Sequence, residues 1–541
     1  MSIVSVQEIG KSFGGRAIID GITWSIDRDA RVGLVGSNGA GKSTVLRMIA
    51  GLEPPDTGSI VRRRELCSAY LPQEITGDDR SVLETVLAMR PDVALLEREL
   101  ASIETVLSDP IITGNVDRLS AVLDQQAALL DRYETIGGPR VRNEAIGHLR
   151  SVGIDDGDHD TPTRLLSGGQ RKLVMLAGCL LQRPDLLLLD EPDTHLDLDH
   201  KAHLEALIRS FDGAVILISH DRYLLDETVT SIAELEDRRL RMWEGNYSAY
   251  AVAKEIALLR QQELYVAQQK EIARLEAAVA RFKLWASIVV DQRHIKQARN
   301  KQRQIDRMDK VDRPVLERKK MGLRFQAAQR GGQKAIELRY VGHAFGDDPI
   351  LLDLNHTFWR GERVAIVGPN GAGKTVLGRL LVGSLDPSWG EVWRGPSISI
   401  GYYAQGHETL DMDASVLSTI RSIKPMYEEQ AVSFLGGFLF PFRMVHQPVR
   451  SLSGGERARL QLACLMLGGA NCLVLDEPTN HLDIASAEVL EAALANYDGT
   501  VIVISHDRYF LDRVVDRTVE VCDGTITPYA GGYSAYVEQA G

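Results

Sequence analysis

Two glycine-rich loops with the same pattern, GxxxxGK[ST], lie 332 residues apart in this 541-residue chain. The first is Gly36-Ser37-Asn38-Gly39-Ala40-Gly41-Lys42-Ser43, and the second is Gly368-Pro369-Asn370-Gly371-Ala372-Gly373-Lys374-Thr375. Glycines allow backbone N–H groups to contact phosphate oxygens at a strand-to-helix turn, and the lysine reaches the β and γ phosphates. The duplication therefore predicts two sites that bind nucleotide phosphates, with the Ser43 and Thr375 hydroxyls suited to Mg²⁺.

The residues around each loop support this prediction. Apolar segments that read as buried strands, Arg31–Val35 and Arg363–Val367, precede the two loops. Helical patterns follow, from Val45 in the first copy and from Val376 in the second. A strand, a glycine-rich turn and a helix in this order are the context that a phosphate-binding loop requires.

The charge of the chain is unevenly distributed. The net charge is −12, but residues 251–334 contain 20 Lys+Arg against 9 Asp+Glu. The remainder of the chain contains 42 basic and 65 acidic residues. The middle segment is therefore expected to meet an anionic partner, whereas the two flanking halves are not.

Two further properties bear on where the chain works. No apolar run approaches the roughly 20 residues of a membrane span, and the N-terminus lacks the pattern of a secretory signal. The five cysteines are scattered without a CxxC pair, so we expect them to be buried apolar residues rather than metal ligands. We therefore expect a cytoplasmic protein that has no membrane partner.

The two halves differ by one large insertion. Equivalent positions are 332 residues apart up to Gln73 and 286 residues apart from Ser167 onward, so the first half has 46 additional residues between them. Leu95–Leu107 and Leu119–Tyr133 have apolar residues at helical spacing, which predicts two amphipathic helices. A decorated helical subdomain and a projecting arm that contacts a partner both fit this pattern.

The basic middle segment has helical periodicity from Ala251 to about Met308. This predicts a hairpin of two helices, with its bend near Trp285–Gln292. Trp285, Ile288, Val289 and Val290 lie at that bend, where they could stack on RNA bases or pack against the hairpin's own turn.

Each half also has an apolar strand that ends in two acids, Leu186–Glu191 and Cys472–Glu477. In each pair the aspartate is suited to anchor Mg²⁺ and the glutamate to polarise an attacking water. A histidine, His220 or His506, follows the next strand at the same offset in both halves. We interpret these histidines as sensors of the γ-phosphate.

Two further segments, Leu166-Ser167-Gly168-Gly169-Gln170 and Leu452-Ser453-Gly454-Gly455-Glu456, resemble the signature motif of ABC ATPases. The resemblance implies that the signature of each lobe meets the γ-phosphate bound by the opposite lobe. The chain would then be a monomer whose two lobes pair head to tail. It would hydrolyse ATP, with Glu191, Glu477, His220 and His506 as the catalytic residues.

The resemblance also implies the residues that bind ATP and Mg²⁺. In the first half, the ATP-binding residues are expected to be Phe13, Gly36, Ser37, Asn38, Gly39, Ala40, Gly41, Lys42, Ser43, Thr44, Gln73, Ser167, Gly168, Gly169 and Asp190. In the second half, they are expected to be Phe345, Gly368, Pro369, Asn370, Gly371, Ala372, Gly373, Lys374, Thr375, Val376, Gln405, Ser453, Gly454, Gly455 and Asp476. Phe13 and Phe345 would stack on adenine. The expected Mg²⁺ ligands are Ser43, Gln73, Asp190, Thr375, Gln405 and Asp476.

One departure separates the halves at these motifs. Asp193-Thr194 stands in the first half where the second has Thr479-Asn480. The added negative charge leads to the hypothesis that the first site turns over more slowly or is gated differently. Equal single-turnover rates in Glu191→Gln and Glu477→Gln variants would count against it.

Two fused lobes with a basic helical hairpin between them in the sequence resemble the ABC-F family, whose members bind ribosomes in the ATP-closed state. The resemblance implies rRNA and P-site tRNA as partners, and modulation of translation near the peptidyl-transferase region. The expected RNA-binding residues, which recur at helical spacing, are Arg293, Lys296, Arg303, Arg307 and Lys310. A merely solvated spacer, or the ATP-binding subunit of a membrane transporter, remains open.

The predicted architecture is α/β, with two ABC-type P-loop ATPase domains joined by an α-helical hairpin linker. The first domain is expected at residues 1–250, with a helical arm inserted at about 92–140. The linker is expected at 251–334 and the second domain at 335–541. ATP and Mg²⁺ are the expected cofactors. Antibiotic protection, control of elongation and ribosome assembly are all compatible with this reading.

Overall fold

The structure is a computed structural model that describes residues 2–107, 116–288, 292–308, 333–404, 406, 408–480 and 482–540. It divides into two compact units. One unit contains Met1–Tyr247 and Met321–Gly541, which are the two homologous lobes, and the other is Ser248–Lys320.

Each lobe contains two β-sheets. In the first lobe, an antiparallel three-stranded sheet has the order β2-β1-β4, and a six-stranded sheet has the order β5-β6-β7-β3-β8-β9. The larger sheet is parallel except for the pairing of β8 with β9. Its strands and those of the smaller sheet are β1 Ser2–Phe13, β2 Arg16–Asp27, β3 Arg31–Val35, β4 Thr57–Arg62, β5 Ser68–Leu71, β6 Leu186–Asp190, β7 Ala214–Ile218, β8 Ser231–Glu236 and β9 Arg239–Glu244.

The second lobe repeats this topology. Its sheets have the orders β11-β10-β13 and β14-β15-β16-β12-β17-β18, with the same mixture of parallel and antiparallel pairs. The strands are β10 Lys334–Phe345, β11 Asp348–Trp359, β12 Arg363–Val367, β13 Trp389–Arg394, β14 Ile400–Tyr403, β15 Cys472–Asp476, β16 Thr500–Ile504, β17 Arg517–Cys522 and β18 Thr525–Ala530. The α/β fold with two such domains is therefore confirmed.

The central strands are apolar runs because both of their faces are covered. All five residues of β6 and of β15 are buried, and each strand lies between two parallel neighbours. Such strands have no solvent-facing side and show no alternation of polar residues. The predicted strands β3, β6, β12 and β15 are confirmed, and their carboxyl ends present the loops and acids described below.

Helices pack on these sheets. In the first lobe they are α1 Lys42–Ala50, α2 Val82–Leu87, α3 Pro91–Leu107, α4 Val116–Thr135, α5 Gly138–Ser151, α6 Gly168–Leu181, α7 Leu198–Ser210 and α8 Arg222–Thr228. After the long helices α9 Tyr247–Ile288 and α10 Gln292–Asp306, the second lobe contains α11 Lys374–Val382, α12 Val416–Ile423, α13 Glu428–Gly437, α14 Gly454–Gly468, α15 Ile484–Ala495, α16 Arg508–Val514 and α17 Tyr533–Ala540.

The insertion in the first lobe forms the pair of helices α3 and α4. Val93, Leu96 and Ile103 of α3 are buried, and the Tyr133 hydroxyl of α4 donates to Glu97 Oε1 at 2.8 Å. The breaker residues predicted at 109–114 lie outside the described residues. The inserted sequence thus folds as a pair of helices, with buried apolar residues on α3 and a partly buried hydrogen bond between α3 and α4.

The second compact unit consists mainly of α9 and α10. Leu275 and Val279 of α9 are buried, whereas Ile256, Leu259 and Leu264, which mark the same predicted helix, are exposed. Helix α9 has 42 residues and α10 has 15, so α10 is too short to cover the whole of α9. Val289 and Val290 of the predicted bend lie outside the described residues, as do the side chains of Trp285 and Ile288.

Candidate active site

The two glycine-rich loops connect a central strand to a helix in each lobe. Gly41 and Gly373 cap α1 and α11 in left-handed conformations, with φ values of 100° and 92°. A Cβ at Gly36 would lie 2.4 Å from the Leu235 carbonyl oxygen, and one at Gly368 would lie 2.1 Å from that of Val521. Glycine is therefore required at the first loop position because a strand backbone passes against it. The loop is shaped to direct the amides of a helix N-terminus at an anion.

Each loop lysine is buried within its own loop. Lys42 Nζ donates to the Gly36 carbonyl oxygen at 2.8 Å, and Lys374 Nζ donates to that of Gly368 at 2.7 Å. Burial lowers the pKa of both lysines, while the adjacent carboxylates act in the opposite direction. The two ammonium groups are thus held at the loop mouth, where a phosphate oxygen would compete for them.

The acids at the ends of β6 and β15 fit a divalent cation. Asp190 is 1% exposed and Asp476 is 0% exposed. Within the part of the chain that the structure describes, Oδ1 of each has no hydrogen-bond partner. Burial raises the pKa of Asp190, and it raises the pKa of Asp476 to about 6. Such isolated buried carboxylate oxygens are the hard ligands that Mg²⁺ prefers.

The glutamates that follow these aspartates are fixed by the backbone. Glu191 and Glu477 each have a φ of 50°, a left-handed conformation that is strained for a residue with a Cβ. Their N–H groups donate to the carbonyls of Ile218 and Ile504 on the adjacent strands, at 2.9 and 2.8 Å. The same strained turn occurs in both lobes, and both glutamates line the cavity described below.

A histidine lies beside each glutamate. His220 Nε2 is 3.5 Å from Glu191 Oε1, and His506 Nε2 is 3.5 Å from Glu477 Oε1. Gln73 Nε2 also donates to Glu191 Oε2 at 2.9 Å. In both lobes the residue predicted to polarise water and the residue predicted to sense the γ-phosphate thus lie side by side, a contact that the sequence did not predict.

The two glutamates nevertheless have different electrostatic surroundings. Burial opposes ionisation of Glu191, but the hydrogen bonds of His220 and Gln73 lower its pKa to about 2. Burial and the neighbouring Asp476 raise the pKa of Glu477 to about 8. Burial, together with Lys374 and Lys201, lowers the pKa of His506 to about 3. The two sites are similar in geometry but not in charge.

The signature segments begin helices. Ser167 is the N-cap of α6 and Ser453 is the N-cap of α14, and each accepts a hydrogen bond from the third residue of its helix. Each also belongs to a capping box, with Gln170 in the first lobe and Glu456 in the second. The caps fix these helix N-termini, whose amides are suited to bind an anion.

A cavity of about 1450 Å³ between the lobes brings most of the predicted residues together. The predicted residues that line it are Asn38, Gly39, Gly41, Lys42, Ser43, Thr44, Gln73, Ser167, Gly168, Gly169, Glu191, His220, Phe345, Asn370, Gly371, Gly373, Lys374, Thr375, Val376, Ser453, Gly454, Gly455, Asp476, Glu477 and His506. The predicted residues that lie outside this lining are Phe13, Gly36, Ser37, Ala40, Asp190, Gly368, Pro369 and Ala372. Gln405 lies outside the described residues.

The loops and motifs of opposite lobes make direct contacts. The Asn370 N–H in the second glycine-rich loop donates to Asp197 Oδ2 at 3.2 Å, and its side-chain amide donates to the His195 carbonyl at 3.1 Å. In the reciprocal position, burial opposes ionisation of Asp483, but hydrogen bonds from Ser486 and, to a smaller extent, from the Asn38 backbone lower its pKa. Each phosphate-binding loop is thus held by the segment that precedes α7 or α15 of the other lobe.

Two reciprocal ion pairs also cross the interface between the lobes. Arg222 donates two hydrogen bonds to Glu491, one of them at 3.3 Å, and Arg508 donates to Glu205 at 2.9 Å. Both arginines also lie over tyrosine rings of the opposite lobe, Arg222 at 4.9 Å from Tyr509 and Arg508 at 4.6 Å from Tyr223. These four charged residues are buried, and the two arginines pair with glutamates of the opposite lobe. Glu491 also accepts a hydrogen bond from Arg513 of its own lobe at 3.3 Å.

Two buried lysines of the first lobe were missed by the sequence analysis. Lys172 Nζ donates to the Glu191 carbonyl at 2.6 Å, and Lys201 Nζ donates to Asp221 Oδ2 at 2.8 Å. At the repeat offset of 286, the second lobe has Ala458 and Ala487 in their places. A residue-by-residue comparison of the two halves contains this signal, because a lysine replaces an alanine at both positions.

We expect the interface ion pairs to be strongly coupled. Replacing Glu491 alone by methionine leaves Arg222 buried without a partner, which should destabilise the closed pair of lobes by about 3–5 kcal/mol. Replacing both Arg222 and Glu491 by methionine should recover most of this loss, because neither buried charge of the pair is then left alone and Arg513, the other partner of Glu491, is exposed. Thermal unfolding of the single and double variants measures the coupling.

The exposed pair Arg209–Glu227, with side chains 53% and 40% accessible, provides the matched control. The same double-variant cycle there should give a coupling of about 0–1 kcal/mol. Equal coupling energies at the buried and exposed pairs would contradict the prediction that burial makes Arg222 and Glu491 depend on each other.

Comparisons with known proteins agree with this geometry. An ABC transporter family model matches residues 19–194 and 351–480, and a second model with the same description matches residues 233–325. The structure of the archaeal ribosome recycling factor in complex with a ribosomal stalk protein has a similar fold. The TM-score is 0.61 at 18% sequence identity, over 98% of this chain and 92% of the other.

Two curated relatives are similar over nearly the whole chain. The putative ATP-binding protein YdiF of Bacillus subtilis is 35% identical over 541 residues, covering 100% of this chain and 83% of the relative. ABC transporter F family member 5 of Arabidopsis thaliana is 35% identical over 541 residues, covering 99% of this chain and 77% of the relative. With two phosphate-binding loops, two signature helices and this similarity, the chain belongs to the ABC-F family and is an ATP-hydrolysing enzyme.

Proposed function

We propose that this protein binds the ribosome when ATP closes its two lobes, and that it modulates translation through the linker that joins them. The linker would act near the P-site tRNA and the peptidyl-transferase region, and the protein would work in the cytoplasm. The observation that carries this proposal is a basic, solvent-exposed face on α10 in an otherwise acidic chain.

Helix α10 has two chemically distinct faces. Lys296 and Arg303 of α10 are exposed, as is Arg307, which follows the helix and whose N–H donates to the Arg303 carbonyl at 3.1 Å. Their spacing of seven and four residues places the three side chains on one side. Ile305, which is 7% exposed, lies half a helical turn away from Arg303 and Arg307. Three cations on a face opposite a buried apolar residue suit contact with a phosphate backbone by charge and shape. The side chain of Arg293, and Lys310 as a whole, lie outside the described residues.

The residues gathered at the two predicted ATP sites define the proposed hydrolytic chemistry. Asp190 and Asp476, with the hydroxyls of Ser43 and Thr375, would hold Mg²⁺, which would neutralise phosphate charge when bound. Gln73 and Gln405 would complete the metal sites. Glu191 and Glu477 would accept the proton of the attacking water, while His220 and His506 would contact the γ-phosphate. Ser167 and Ser453 would contact the γ-phosphate held by the opposite lobe.

In this proposal ATP binding is the switch and hydrolysis is the reset. Phosphates bound to a loop of one lobe and a signature helix of the other stabilise only the closed arrangement, so ATP shifts the population toward it. Hydrolysis removes that contact and releases the lobes.

Among the described residues, none of the helices has the length and apolar character of a membrane span.

The alternative, an ATP-binding subunit that energises a membrane transporter, gives the basic face of α10 no role. Binding to membranes that contain a permease, rather than to ribosomes, would favour that alternative.

Combined Glu191→Gln and Glu477→Gln substitutions should slow hydrolysis by about 10²–10⁴-fold without preventing ATP binding, because they remove only the proton acceptors. The variant should then remain on ribosomes in the presence of ATP and inhibit translation. Co-sedimentation with 70S ribosomes, with and without ATP, measures this. A Glu227→Gln variant, altered at an exposed acid of the same lobe, should behave like the parent protein. Association that ignores both ATP and the substitutions would defeat the proposal.

Neutralising Lys296, Arg303 and Arg307 to glutamine should weaken ribosome binding by roughly tenfold or more and reduce its dependence on salt, because phosphate contacts release counterions. The rate of ATP hydrolysis without ribosomes should not change. The matched control neutralises three exposed residues of α9, namely Arg260, Lys270 and Arg274. An equal effect of the two triple variants would assign binding to net charge rather than to the face of α10.

Phe345 is 58% exposed and lines the cavity, so we expect its ring to stack on adenine. Phe345→Ala should weaken ATP binding by about 1–3 kcal/mol, the usual contribution of base–aromatic stacking. Titration with a fluorescent ATP analogue measures the change. Phe442→Ala, which removes a 65% exposed ring elsewhere in the second lobe, is the control and should leave binding unaltered.

A further inference from the structure

Lys201 is a buried lysine that links the two lobes at the second ATP site. It lies in the first turn of α7 and is 7% exposed. Its Nζ donates to Asp221 Oδ2 of its own lobe at 2.8 Å, and to the His506 carbonyl oxygen of the other lobe, also at 2.8 Å. One ammonium group therefore joins the N-cap of α8 to the backbone of a catalytic histidine 305 residues away.

The second lobe cannot make the reciprocal contact from the matching position. Ala487 occupies the place of Lys201, and its side chain has no group that donates a hydrogen bond. Asp193, which is 7% exposed, stands where the second lobe has Thr479. Where the second lobe has Thr479 and Ala487, the first lobe thus has Asp193 and Lys201, whose charges cancel. The Asp193 departure described in the sequence analysis is therefore accompanied by a second, compensating change.

The contact bears on the histidine through its main chain. His506 follows the end of β16, and its ring lies 3.5 Å from the Glu477 carboxylate. A hydrogen bond to its carbonyl fixes the backbone from which the ring projects. This bond exists only when the first lobe is in place, so the position of His506 depends on closure. The equivalent backbone of His220 receives no such bond from Ala487.

A purely structural role for Lys201 is that it neutralises the buried carboxylates of Asp193 and Asp221. Its charge also acts on the second lobe, because it opposes the effects of burial and of Asp221, which raise the pKa of Asp507, the N-cap of α16, to about 6. Charge neutralisation by Lys201 would therefore affect both lobes, whereas its hydrogen bond to the His506 carbonyl affects the second site alone.

We propose that Lys201 is a positioning residue that couples the first lobe to His506, so that the two ATP sites are not equivalent. Hydrolysis at the second site, formed by Lys374, Glu477 and His506, depends on Lys201. Hydrolysis at the first site has no corresponding requirement. The proposal concerns the ATPase activity itself and does not depend on ribosome binding.

The test exchanges both residues for those of the second lobe, Asp193→Thr with Lys201→Ala. This double change leaves the net charge unaltered, although Asp221 loses the hydrogen bond of Lys201. The second lobe has the same two residues, Thr479 and Ala487, at the matching positions. It is introduced separately into a Glu191→Gln protein, in which the second site supplies the hydrolysis, and into a Glu477→Gln protein, in which the first site does. The rate of hydrolysis at saturating ATP and the KM for ATP are measured in both backgrounds.

In the Glu191→Gln background, the exchange should lower kcat by about tenfold or more with KM changed by less than about twofold, because it misplaces a catalytic group without removing an ATP contact. In the Glu477→Gln background, both parameters should stay within about twofold. Thermal unfolding of each protein verifies that the lobes remain folded. Equal losses of kcat in the two backgrounds, a change confined to KM, or no change in either would overturn the proposal.

A conservative variant provides a second measurement. Lys201→Arg in the Glu191→Gln background retains a cation that can donate to the His506 carbonyl, so kcat should exceed that of the Asp193→Thr, Lys201→Ala exchange by severalfold. Lys201→Met, with a similar length and no donor, should not recover it. Recovery by methionine would show that packing, rather than the hydrogen bond, sets the rate.

Discussion

The closed arrangement of this protein depends on charges that one lobe buries and the other lobe satisfies. Arg222 with Glu491, and Arg508 with Glu205, form this interface in a reciprocal way. A buried ion pair is strongly penalised when one partner is removed, but its net stabilisation is small because both charges lose their hydration. The pairs therefore specify how the lobes meet without locking them together. An interface of this kind can be closed by a ligand that contacts both lobes and opened again when that ligand is cleaved.

The two lobes repeat one fold but do not repeat one site. Both place a strained glutamate after a buried aspartate, with a histidine 3.5 Å away. Around this common geometry, the first lobe adds Lys172 and Lys201, where the second has alanines. In a low-dielectric interior one added charge changes the behaviour of every neighbouring ionisable group. Two lobes with the same fold can thus hold sites with different electrostatic surroundings.

The segregation of charge separates the tasks of the chain. The acidic lobes contain the phosphate-binding loops, where local amides and lysines overcome the overall negative charge at short range. The segment that joins the lobes in the sequence, residues 251–334, contains 20 Lys+Arg against 9 Asp+Glu, and Lys296 and Arg303 are exposed on α10. This distribution of charge supports the proposal that the joining segment, rather than the lobes, meets an anionic partner.

The sequence alone determined the parts of this protein that local chemistry controls. A glycine-rich loop between an apolar strand and a helix has few alternatives, because only glycine tolerates the positive φ and the close backbone at those positions. Local sequence also predicted three other features, because apolar runs, capping residues and helical periodicity report local structure. These are the strands that end in Asp190 and Asp476, the signature helices capped by Ser167 and Ser453, and the helical insertion. The family resemblance added the expectation that the lobes pair head to tail.

Only the tertiary structure decided which side chains meet across the interface. The contact of Lys201 with the His506 carbonyl, and the burial of Arg222 against Glu491, join residues more than 260 positions apart. No periodicity encodes such a pair, because it depends on the relative placement of two lobes rather than on the path of one strand or helix. The exposure of Ile256, Leu259 and Leu264 could not be predicted from the sequence for a similar reason. Periodicity indicates that a helix is amphipathic, but it does not show how much of that helix its neighbour covers.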